Sequence, residues 1–543
     1  MDYKRFKDPI YGYVRIERDI IEEIIDTSCF QRLRHIRQTS YTPLYSAALH
    51  NRFIHSIGVY HLGKISFFSL KKSAYETYPD DAKELNWDKI ENLFTLACLL
   101  HDVGHAPFSH SGEEFFLHAT TSSEEQLYID LKECVGDTSF SSDMAYYHDV
   151  KKKPAAPHEI MSVIVALKTF PKYFSDEKEK GLFARCVTGY QYKDVNNFTL
   201  SIENALISLL NSPIIDVDKL DYLIRDSYVT GYDSISIDYE RLLNSVSIRY
   251  INSKYELVYN KSALSVLENV IYAHDSERKW IQNHPIVLYE HFLVQYAIRS
   301  TSKYFAGSTK EKLFCEMSLL EDGKVFENKQ KISLLCDDDI IYLTKNVCGN
   351  QLTKEYFCRN LRRHPIWKSE AEYKTMFIQP LGSEALDKLE KQFGRLEKFL
   401  KEELQYPIVN EEALKKCESV LQRIENDTVL NKMDRIAQQD SYKNILKWMK
   451  CLKEFSESKG IPFDYVIIGA SHFKSGFQKE ELIDTKIDFP NLNKQNRLGE
   501  VVNLLDAHNE RDKFFYLYYR RENGKDIDVR SLSNALCLKC LEQ

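Results

Sequence analysis

The sequence predicts a mainly α protein: a helical bundle with small β additions and an α+β lobe at its C-terminal end. Apolar residues recur at helical spacing in five segments, residues 20–38, 160–170, 203–210, 262–273 and 385–404. Strands are predicted where β-branched and aromatic residues cluster, at residues 250–259, 463–469 and 513–519. The helical segments are longer and more numerous, so we expect an α core.

Polar and Pro/Gly-containing stretches suggest how the chain is organised. The polar stretch 118–156 ends in KKKPAAP, and QYPIVNEE at 405–412 or SESKGIP at 456–462 could begin a new lobe. We therefore expect a catalytic core over 1–370 with an inserted loop at about 115–157. A helical extension over 371–460 and an α+β C-terminal lobe over 461–543 would follow.

Composition and charge are those of an ordinary folded protein. The 543 residues are 43% hydrophobic and 28% charged, and the formal net charge is −7. No global basic field calls for nucleic acid or an anionic membrane, so binding of nucleic acid stays open and any positive charge for an anionic ligand must be local. The opening MDYKRFKDP shows no apolar leader, and we expect a cytoplasmic protein without membrane contact.

Four residues have the chemistry of a metal site. His55 lies in RFIHS, His101 and Asp102 in LLHDVGH, and Asp218 in IDVDKLDYLIRD. Two imidazoles and two carboxylates can hold one divalent transition metal, Fe, Mn or Zn, and leave positions for water and substrate. Residues 93–101 are apolar on nearly every side, which predicts a buried helix. A carboxylate at the end of such a helix needs a cation to offset its desolvation.

Three further histidines follow this motif. Gly104 and Pro107 stop the helix, so His105 and His110 are expected on an irregular turn at the mouth of the site. Together with His158 they would supply proton donors and phosphate-facing groups for metal-assisted hydrolysis.

The segment 218–226 predicts a helix with a polar face. Asp218, Tyr222 and Asp226 are spaced i, i+4 and i+8, and Lys219 lies beside them. This face could offer a metal ligand, a cation for phosphate and polar groups for a sugar or base. A solvated face with ordinary i, i+4 pairing is the alternative.

Five motifs in order carry a family resemblance: DPIYGYVRI, DTSCFQRLRHIRQ, HNRFIHSIGV, HDVGHAPFSH and DVDKLDYLIRD. The sequence resembles the HD-domain deoxynucleoside triphosphate triphosphohydrolases, among them the animal enzyme that joins a sterile-alpha-motif domain to an HD domain. The resemblance is clear over residues 7–235, and the chain is expected to lack the sterile-alpha-motif domain. It implies hydrolysis of a dNTP, accompanied by Mg²⁺, to a deoxynucleoside and inorganic triphosphate, which would serve dNTP pool control or antiviral and antiphage defence.

The resemblance also implies a role for each site residue. The metal ligands would be His55, His101, Asp102 and Asp218, and the triphosphate and deoxyribose would be held by Arg52, Lys219, Tyr222 and Asp226. His105 and His158 would lie near the phosphates. His110 would protonate the leaving oxygen, with Glu113 as its partner in place of the family's usual Asp.

A second nucleotide site is implied by Asp26, Gln31 and Arg34 in DTSCFQRLR. In allosteric members of the family the matching residues recognise a guanine nucleotide at a subunit interface, so the resemblance implies a nucleotide activator or inhibitor and a homo-oligomer, a tetramer or higher. The alternative is an amphipathic helix with ordinary salt bridges. For the whole chain, an HD phosphodiesterase acting on a cyclic or oligonucleotide signal and a nucleotide-sensing module remain alternatives.

Overall fold

The computed structural model describes residues 2–113, 123–195, 197–213, 215–232, 236–251, 253–301, 324–325, 331–346, 351–426, 432–471, 484–490, 494–501, 513–521 and 527–541. The chain forms two compact units, each assembled from three stretches. The first unit contains Met1–Glu277, Ala297–Val347 and Ser475–Asp506, and the second contains Arg278–Tyr296, Cys348–Lys474 and Ala507–Gln543. The three consecutive domains expected from the sequence, 1–370, 371–460 and 461–543, stay a prediction.

The structure confirms the mainly α class. The α-helices of five or more residues in the described part are α1 (Arg52–Thr77), α2 (Pro79–Lys83), α3 (Trp87–Leu100), α4 (Ser123–Val135), α5 (Thr138–Asp149), α6 (Pro157–Thr169), α7 (Glu177–Thr188), α8 (Phe198–Leu210), α9 (Val217–Thr230), α10 (Tyr239–Leu243), α11 (Leu264–Glu277), α12 (Pro285–Thr301), α13 (Asp337–Asn346), α14 (Gln351–Phe357), α15 (Glu370–Leu404), α16 (Glu411–Glu425), α17 (Lys432–Lys459) and α18 (Val529–Leu541). No helix in this part combines the length and the apolar character needed to cross a bilayer.

The strands form small sheets. They are β1 (Tyr3–Asp8), β2 (Gly12–Glu17), β3 (Val246–Ile251), β4 (Lys254–Asn260), β5 (Lys324–Val325), β6 (Lys331–Ile332), β7 (His364–Pro365), β8 (Ile408–Val409), β9 (Tyr465–Ser471), β10 (Lys486–Phe489), β11 (Lys494–Arg497) and β12 (Lys513–Tyr519). β1 and β2 form a hairpin, as do β5 and β6. A four-stranded sheet of the first unit has the order β11-β10-β4-β3, and one of the second unit has the order β7-β12-β9-β8.

The sheet of the first unit joins strands from distant parts of the chain. Strand β10 pairs in parallel with β4, with Ile487 opposite Tyr259. A pairing between residues so distant in sequence leaves no local pattern. The second unit does combine helices with a sheet, and its strands β9 and β12 pair along seven positions from Lys513 opposite Ser471 to Tyr519 opposite Tyr465.

The helix predicted over residues 20–38 is broken into short pieces. Residues 18–25 form a helical turn that ends in a π-type segment, and Ser28–Gln31 starts a separate turn that continues as a 3₁₀ segment to His35. Thr27 causes the break: its hydroxyl donates to the Ile24 carbonyl and accepts from the Phe30 N–H, so it caps the second turn. The prediction of one continuous helix was wrong.

The stretch expected to be an inserted loop is helical over most of its described part. Residues 114–122 lie outside the described residues, and α4 and α5 cover most of 123–149. Leu127, Leu131 and Val135 are buried at helical spacing, as are Phe140 and Met144. These few apolar positions hold the two helices in place while the surrounding surface is polar.

Helix α3 is the buried helix that the sequence predicts. Its residues from Leu93 to Leu100 are all buried. Helix α1 packs close against it, because a Cβ atom at Gly63 would lie 2.5 Å from the Cys98 sulfur. This packing fixes the ends of α1 and α3 that carry the site described next.

Candidate active site

Four predicted metal ligands converge in the first unit. His55 lies on the first turn of α1, His101 and Asp102 follow α3 directly, and Asp218 lies on the first turn of α9. The Nε2 atoms of the two histidines are 3.3 Å apart. Asp102 Oδ2 lies 3.5 Å from His55 Nε2 and 3.4 Å from His101 Nε2. Asp218 Oδ1 lies 3.0 Å and 3.6 Å from the same two nitrogens.

These separations fit one divalent ion. Bonds of about 2.1 Å place neighbouring ligand atoms roughly 3.0–3.4 Å apart in octahedral and tetrahedral geometry. The measured separations, 3.0 to 3.6 Å, span that range and little more. Asp218 is 34% exposed at its side chain, so the group of ligands is open to solvent on this side, as a catalytic site requires.

The other nitrogen of each histidine fixes the tautomer that a metal needs. His55 Nδ1 lies 2.7 Å from Asp221 Oδ2, and His101 Nδ1 lies 3.0 Å from the Cys98 carbonyl oxygen. Both partners accept hydrogen bonds, so each Nδ1 carries a hydrogen and each Nε2 directs a lone pair at the other ligands. Two imidazole lone pairs facing two carboxylates select a cation.

The charges around His55 show the same preference. Burial lowers the pKa of His55, but the hydrogen bonds that a protonated His55 donates to Asp218 and Asp221 outweigh it and raise the pKa to about 9. Positive charge is therefore strongly stabilised at this point. The donor set and its electrostatics together fit a divalent metal ion.

Asp221, which the sequence reasoning did not single out, anchors this arrangement. Its carboxylate receives two hydrogen bonds of 2.9 Å from Arg225, and Arg225 Nη1 lies 3.1 Å from Asp8 Oδ2 on β1. All three side chains are buried. Gly58 makes room for them, since a Cβ atom there would lie 1.9 Å from Asp221 Oδ1. A carboxylate three residues after a metal ligand on the same helix is the signal that could have identified it.

Arg52 is buried against the metal ligands. Its Nη1 donates to Asp102 Oδ2 at 2.7 Å and its Nε donates to the Ser109 hydroxyl at 2.9 Å. Burial raises the pKa of Asp102, but Arg52, His101 and His55 outweigh it and hold the pKa at about 2. Asp102 is thus ionised at any neutral pH. Arg52 Nη2 has no hydrogen-bond partner among the described residues.

A second cluster joins the remaining histidines to Glu113. His110 Nδ1 makes a short contact with Glu113 Oε1, and the same oxygen lies 2.9 Å from His158 Nδ1. The rings of His105 and His158 stack with centroids 4.3 Å apart. His105 Nε2 lies 3.4 Å from Asp102 Oδ1, which connects this cluster to the metal ligands. The structure thus brings all four predicted catalytic side chains together.

The exposure within this second cluster differs from the expectation. His105 is fully buried, so it does not lie at the mouth of the site, whereas the side chain of His110 is 64% exposed. The turn folds inward at Gly104, where a Cβ atom would lie 2.4 Å from the Ser162 nitrogen. Burial lowers the pKa of His158, but the Glu113 carboxylate outweighs this effect and raises the pKa to about 9. Burial raises the pKa of Glu113, but His158 and His110 outweigh this effect and hold the pKa well below its usual value.

Helix α9 presents the predicted polar face in part. Lys219 Nζ donates to Asp216 Oδ2 at 2.7 Å, and Asp216 Oδ1 also caps the helix by accepting from the Lys219 N–H. Asp226 is buried with Oδ1 2.7 Å from His50 Nε2, a neighbour that the sequence reasoning missed. Tyr222 lies between Asp218 and Asp226 on the helix, and burial raises its pKa well above the usual value.

The three residues of the predicted second nucleotide site lie close together near the protein surface. Asp26 is half exposed and lies 4.0 Å from Lys4 Nζ. Gln31 donates to the Ile25 carbonyl and accepts from Arg34 Nε at 2.8 Å, and Arg34 stacks on the Phe53 ring with its guanidinium 3.5 Å from the centroid.

Comparison with known proteins agrees with this geometry. Residues 52–145 match the HD domain family. The match covers His55, His101 and Asp102 and ends before Asp218, which completes the ligand set from α9. The HD domain together with the His/Asp cluster supports a metal-binding hydrolase site.

Relatives share about half of the chain. An uncharacterised protein of Bacillus subtilis, YwfO, is 30% identical over 285 residues, which is 52% of this chain and 52% of YwfO. The deoxynucleoside triphosphate triphosphohydrolase SAMHD1 of zebrafish is 26% identical over 342 residues, 60% of this chain and 49% of that protein. A SAMHD1 homologue of Dictyostelium discoideum is 29% identical over 282 residues, 50% of this chain and 46% of that protein. The chain therefore spans about half the length of the curated relatives it matches.

Proposed function

We propose that this protein hydrolyses dNTPs to a deoxynucleoside and inorganic triphosphate at its candidate active site. We call this the HD site; it consists of the metal ligands His55, His101, Asp102 and Asp218 and the adjoining His105, His110, Glu113 and His158. The observation that carries the proposal is the convergence of two groups: the metal ligands around His55 and the His110–Glu113–His158 cluster, joined through His105 and Asp102. The similarity to two SAMHD1 proteins supports the same substrate class.

The reaction consists of three events. Water attacks the α-phosphorus, the bond from phosphorus to the 5′-oxygen breaks, and that oxygen must gain a proton to leave as a hydroxyl. A divalent ion held by the four ligands would supply Lewis acidity toward the phosphate and lower the pKa of water. The protein's own side chains would neutralise phosphate charge, position the sugar and provide the proton.

Two cations lie beside the metal ligands. Arg52 Nη2 has no hydrogen-bond partner among the described residues, and a phosphate oxygen could accept a hydrogen bond from it. Lys219 follows Asp218 directly and is held in position by Asp216. We propose that these two side chains offset the negative charge of the triphosphate, which costs little reorganisation because both are already fixed.

The proton would come from His110. Its side chain is open to solvent, and Glu113 holds its Nδ1 so that Nε2 points away from the carboxylate. His158 shares the same Glu113 oxygen and would keep that carboxylate ionised. Tyr222 and Asp226 on α9 would bound the deoxyribose, and a Tyr ring packed at C2′ would exclude the extra hydroxyl of a ribonucleotide.

We propose the nucleotide-regulated homo-oligomer on separate grounds. Asp26, Gln31 and Arg34 form a cluster near the surface with an aromatic ring beside the guanidinium. A nucleotide bound there between subunits would favour the assembled state by its differential affinity.

The test is hydrolysis of each dNTP, singly and mixed, with Mn²⁺ or Mg²⁺, followed by chromatography of the products. We expect deoxynucleoside and triphosphate in equal amounts and little turnover of ribonucleotides. Asp102→Asn should remove activity and bound metal, while Asp88→Asn, which changes an exposed carboxylate on the preceding helix α3, should change neither. A cyclic or oligonucleotide phosphodiesterase would instead yield a nucleoside monophosphate and no triphosphate.

A further inference from the structure

A cavity of about 690 Å³ lies in the first unit outside the HD site. Its walls come from α5, the segment after α7, α8, the turn before α9 and strand β4, together with Asp484, Thr485, Lys486 and Arg497. None of the metal ligands and none of the histidines around Glu113 lines it. The volume is typical of a site for a small organic ligand.

The charge of this cavity is opposite to that of the chain. Four basic side chains line it against two acidic ones, although the net charge of the protein is −7. Lys486 pairs with Glu256, and Arg497 lies 3.0 Å from Asp484. Lys193 and Lys254 have no carboxylate partner among the described residues. Two uncommitted ammonium groups on one cavity favour an anion.

Aromatic and amide groups make up much of the remaining wall. Five tyrosines line the cavity: Tyr146, Tyr147, Tyr192, Tyr255 and Tyr259. Lys193 lies over the Tyr146 ring, with its ammonium 4.9 Å from the centroid. Flat π faces beside ammonium groups fit a ligand that carries both a ring and a phosphate.

The wall is held firmly. Asn204 accepts from the Tyr192 N–H at 2.8 Å and donates to the Tyr192 carbonyl at 3.0 Å, which ties the segment after α7 to α8. Gln191 donates to the Ser208 hydroxyl at 2.6 Å across the same two elements. A preformed wall lowers the entropy cost of binding.

Hydrogen bonds connect one wall of the cavity to a side chain beside the metal ligands. Ser212, Pro213 and Ile215 line the cavity, and the Ser212 N–H donates to Asp216 Oδ2 at 2.9 Å. The same oxygen of Asp216 holds Lys219 Nζ. A ligand that moved Ser212 would therefore change the support of a side chain beside the metal ligands.

We propose that this cavity is a further binding site, for a nucleoside phosphate, separate from the Asp26/Gln31/Arg34 cluster, and that its occupant acts on α9 through Asp216. The binding part stands on the cavity alone, whereas the effect on activity rests on the proposed function. A cavity walled on several sides fits a single nucleotide better than a nucleic-acid strand, which needs an extended groove.

The test measures binding of the four ribonucleoside 5′-monophosphates by equilibrium dialysis. At least one should bind, and Asp102→Asn should bind it equally well, because that residue lies outside the cavity. The double variant Lys193→Gln/Lys254→Gln should bind it at least about tenfold more weakly, since each lysine donates a charge-assisted hydrogen bond. The matched control Lys72→Gln/Lys388→Gln removes the same charge from exposed helix positions and should bind normally.

Partial ligands separate the chemistry. Inorganic phosphate and the free nucleoside should each bind more weakly than the monophosphate, and Tyr146→Ala should weaken the monophosphate but not phosphate. The proposal is overturned if no monophosphate binds, if Lys193→Gln/Lys254→Gln binds like the control, if phosphate alone competes equally, or if only a twelve-residue oligothymidylate binds. Binding lost in Asp102→Asn but kept in the lysine variant would place the ligand in the HD site and also overturn it.

The effect on activity has its own readout. The monophosphate that binds should change the rate of dNTP hydrolysis in the wild type and not in Lys193→Gln/Lys254→Gln. If the protein hydrolyses no dNTP while the binding pattern holds, the proposed function fails and the cavity site stands. Hydrolysis that is unchanged by a bound monophosphate would refute the coupling through Asp216.

Discussion

Asp221→Asn should weaken metal binding although Asp221 is not a metal ligand. The wild-type carboxylate accepts from His55 Nδ1 at 2.7 Å and from two Arg225 nitrogens at 2.9 Å. Asparagine has the same shape but keeps only one acceptor oxygen. Its NH₂ group replaces the other oxygen and faces an N–H donor of His55 or Arg225. His55 therefore loses the charge that orients its ring and raises the basicity of Nε2.

The expected loss is about 10–100-fold in metal affinity, or roughly 1.4–2.8 kcal/mol. Folding should survive, because Asp8 still lies 3.1 Å from Arg225. Affinity for Mn²⁺ and Zn²⁺ can be measured by competition with a chelating dye, with a thermal melt as the check on folding. Glu17→Gln is the matched control: Glu17 also contacts α1, through a 2.6 Å bond from Lys64, but it does not touch His55. A folded Asp221→Asn protein with metal affinity within twofold of the wild type would refute the role of Asp221.

Three more predictions follow from the site and its surroundings. His110→Ala should lower kcat by about 10²–10⁴-fold with metal content unchanged, and Glu113→Gln should cost less because the proton donor remains; equal metal loss in both would instead mean that this cluster shapes the metal centre. Burial raises the pKa of Asp337 to about 6, against hydrogen bonds from the Arg37 and Phe108 N–H groups, so its ionisation opposes folding. The free energy of unfolding of the wild type relative to Asp337→Asn should therefore fall by up to about 3 kcal/mol as pH rises from 4 to above 6. Denaturant titrations of both proteins at several pH values measure this difference. A difference that does not change with pH would show that Asp337 titrates normally. Arg34→Ala should abolish any stimulation of dNTP hydrolysis by a second nucleotide while the metal stays bound, and stimulation of wild-type size in the variant would argue against the Asp26/Gln31/Arg34 site.

The sequence singles out the four candidate metal ligands because they have unusual neighbours, and their role as ligands stays a prediction. Asp102 comes directly after a helix that is apolar on nearly every side, and such a carboxylate has few explanations besides a cation. Asp221 was missed because the segment 216–226 holds four aspartates, and its i, i+4 spacing to Arg225 is that of an ordinary surface pair. Only the packing of α9 against Gly58 shows that this pair is buried.

The fold was predictable where the pattern is local. Strand β12 has the bounds that its aromatic run indicates, and α3 and α9 lie where their periodicity places them. The parallel pairing of β10 with β4 joins residues more than two hundred positions apart, and no local pattern reports it. The break at Thr27 was missed because apolar spacing continues through a residue whose side chain caps a new turn.

We propose that the HD site breaks the bond between the α-phosphorus and the 5′-oxygen of a dNTP. Hydrolysis in water enriched in ¹⁸O, followed by mass spectrometry of both products, tests it most directly. Attack at phosphorus puts one ¹⁸O atom in inorganic triphosphate and none in the deoxynucleoside, and Asp102→Asn should give neither product. Label in the deoxynucleoside would contradict attack at the α-phosphorus, and a nucleoside monophosphate in place of triphosphate would contradict cleavage of the bond to the 5′-oxygen.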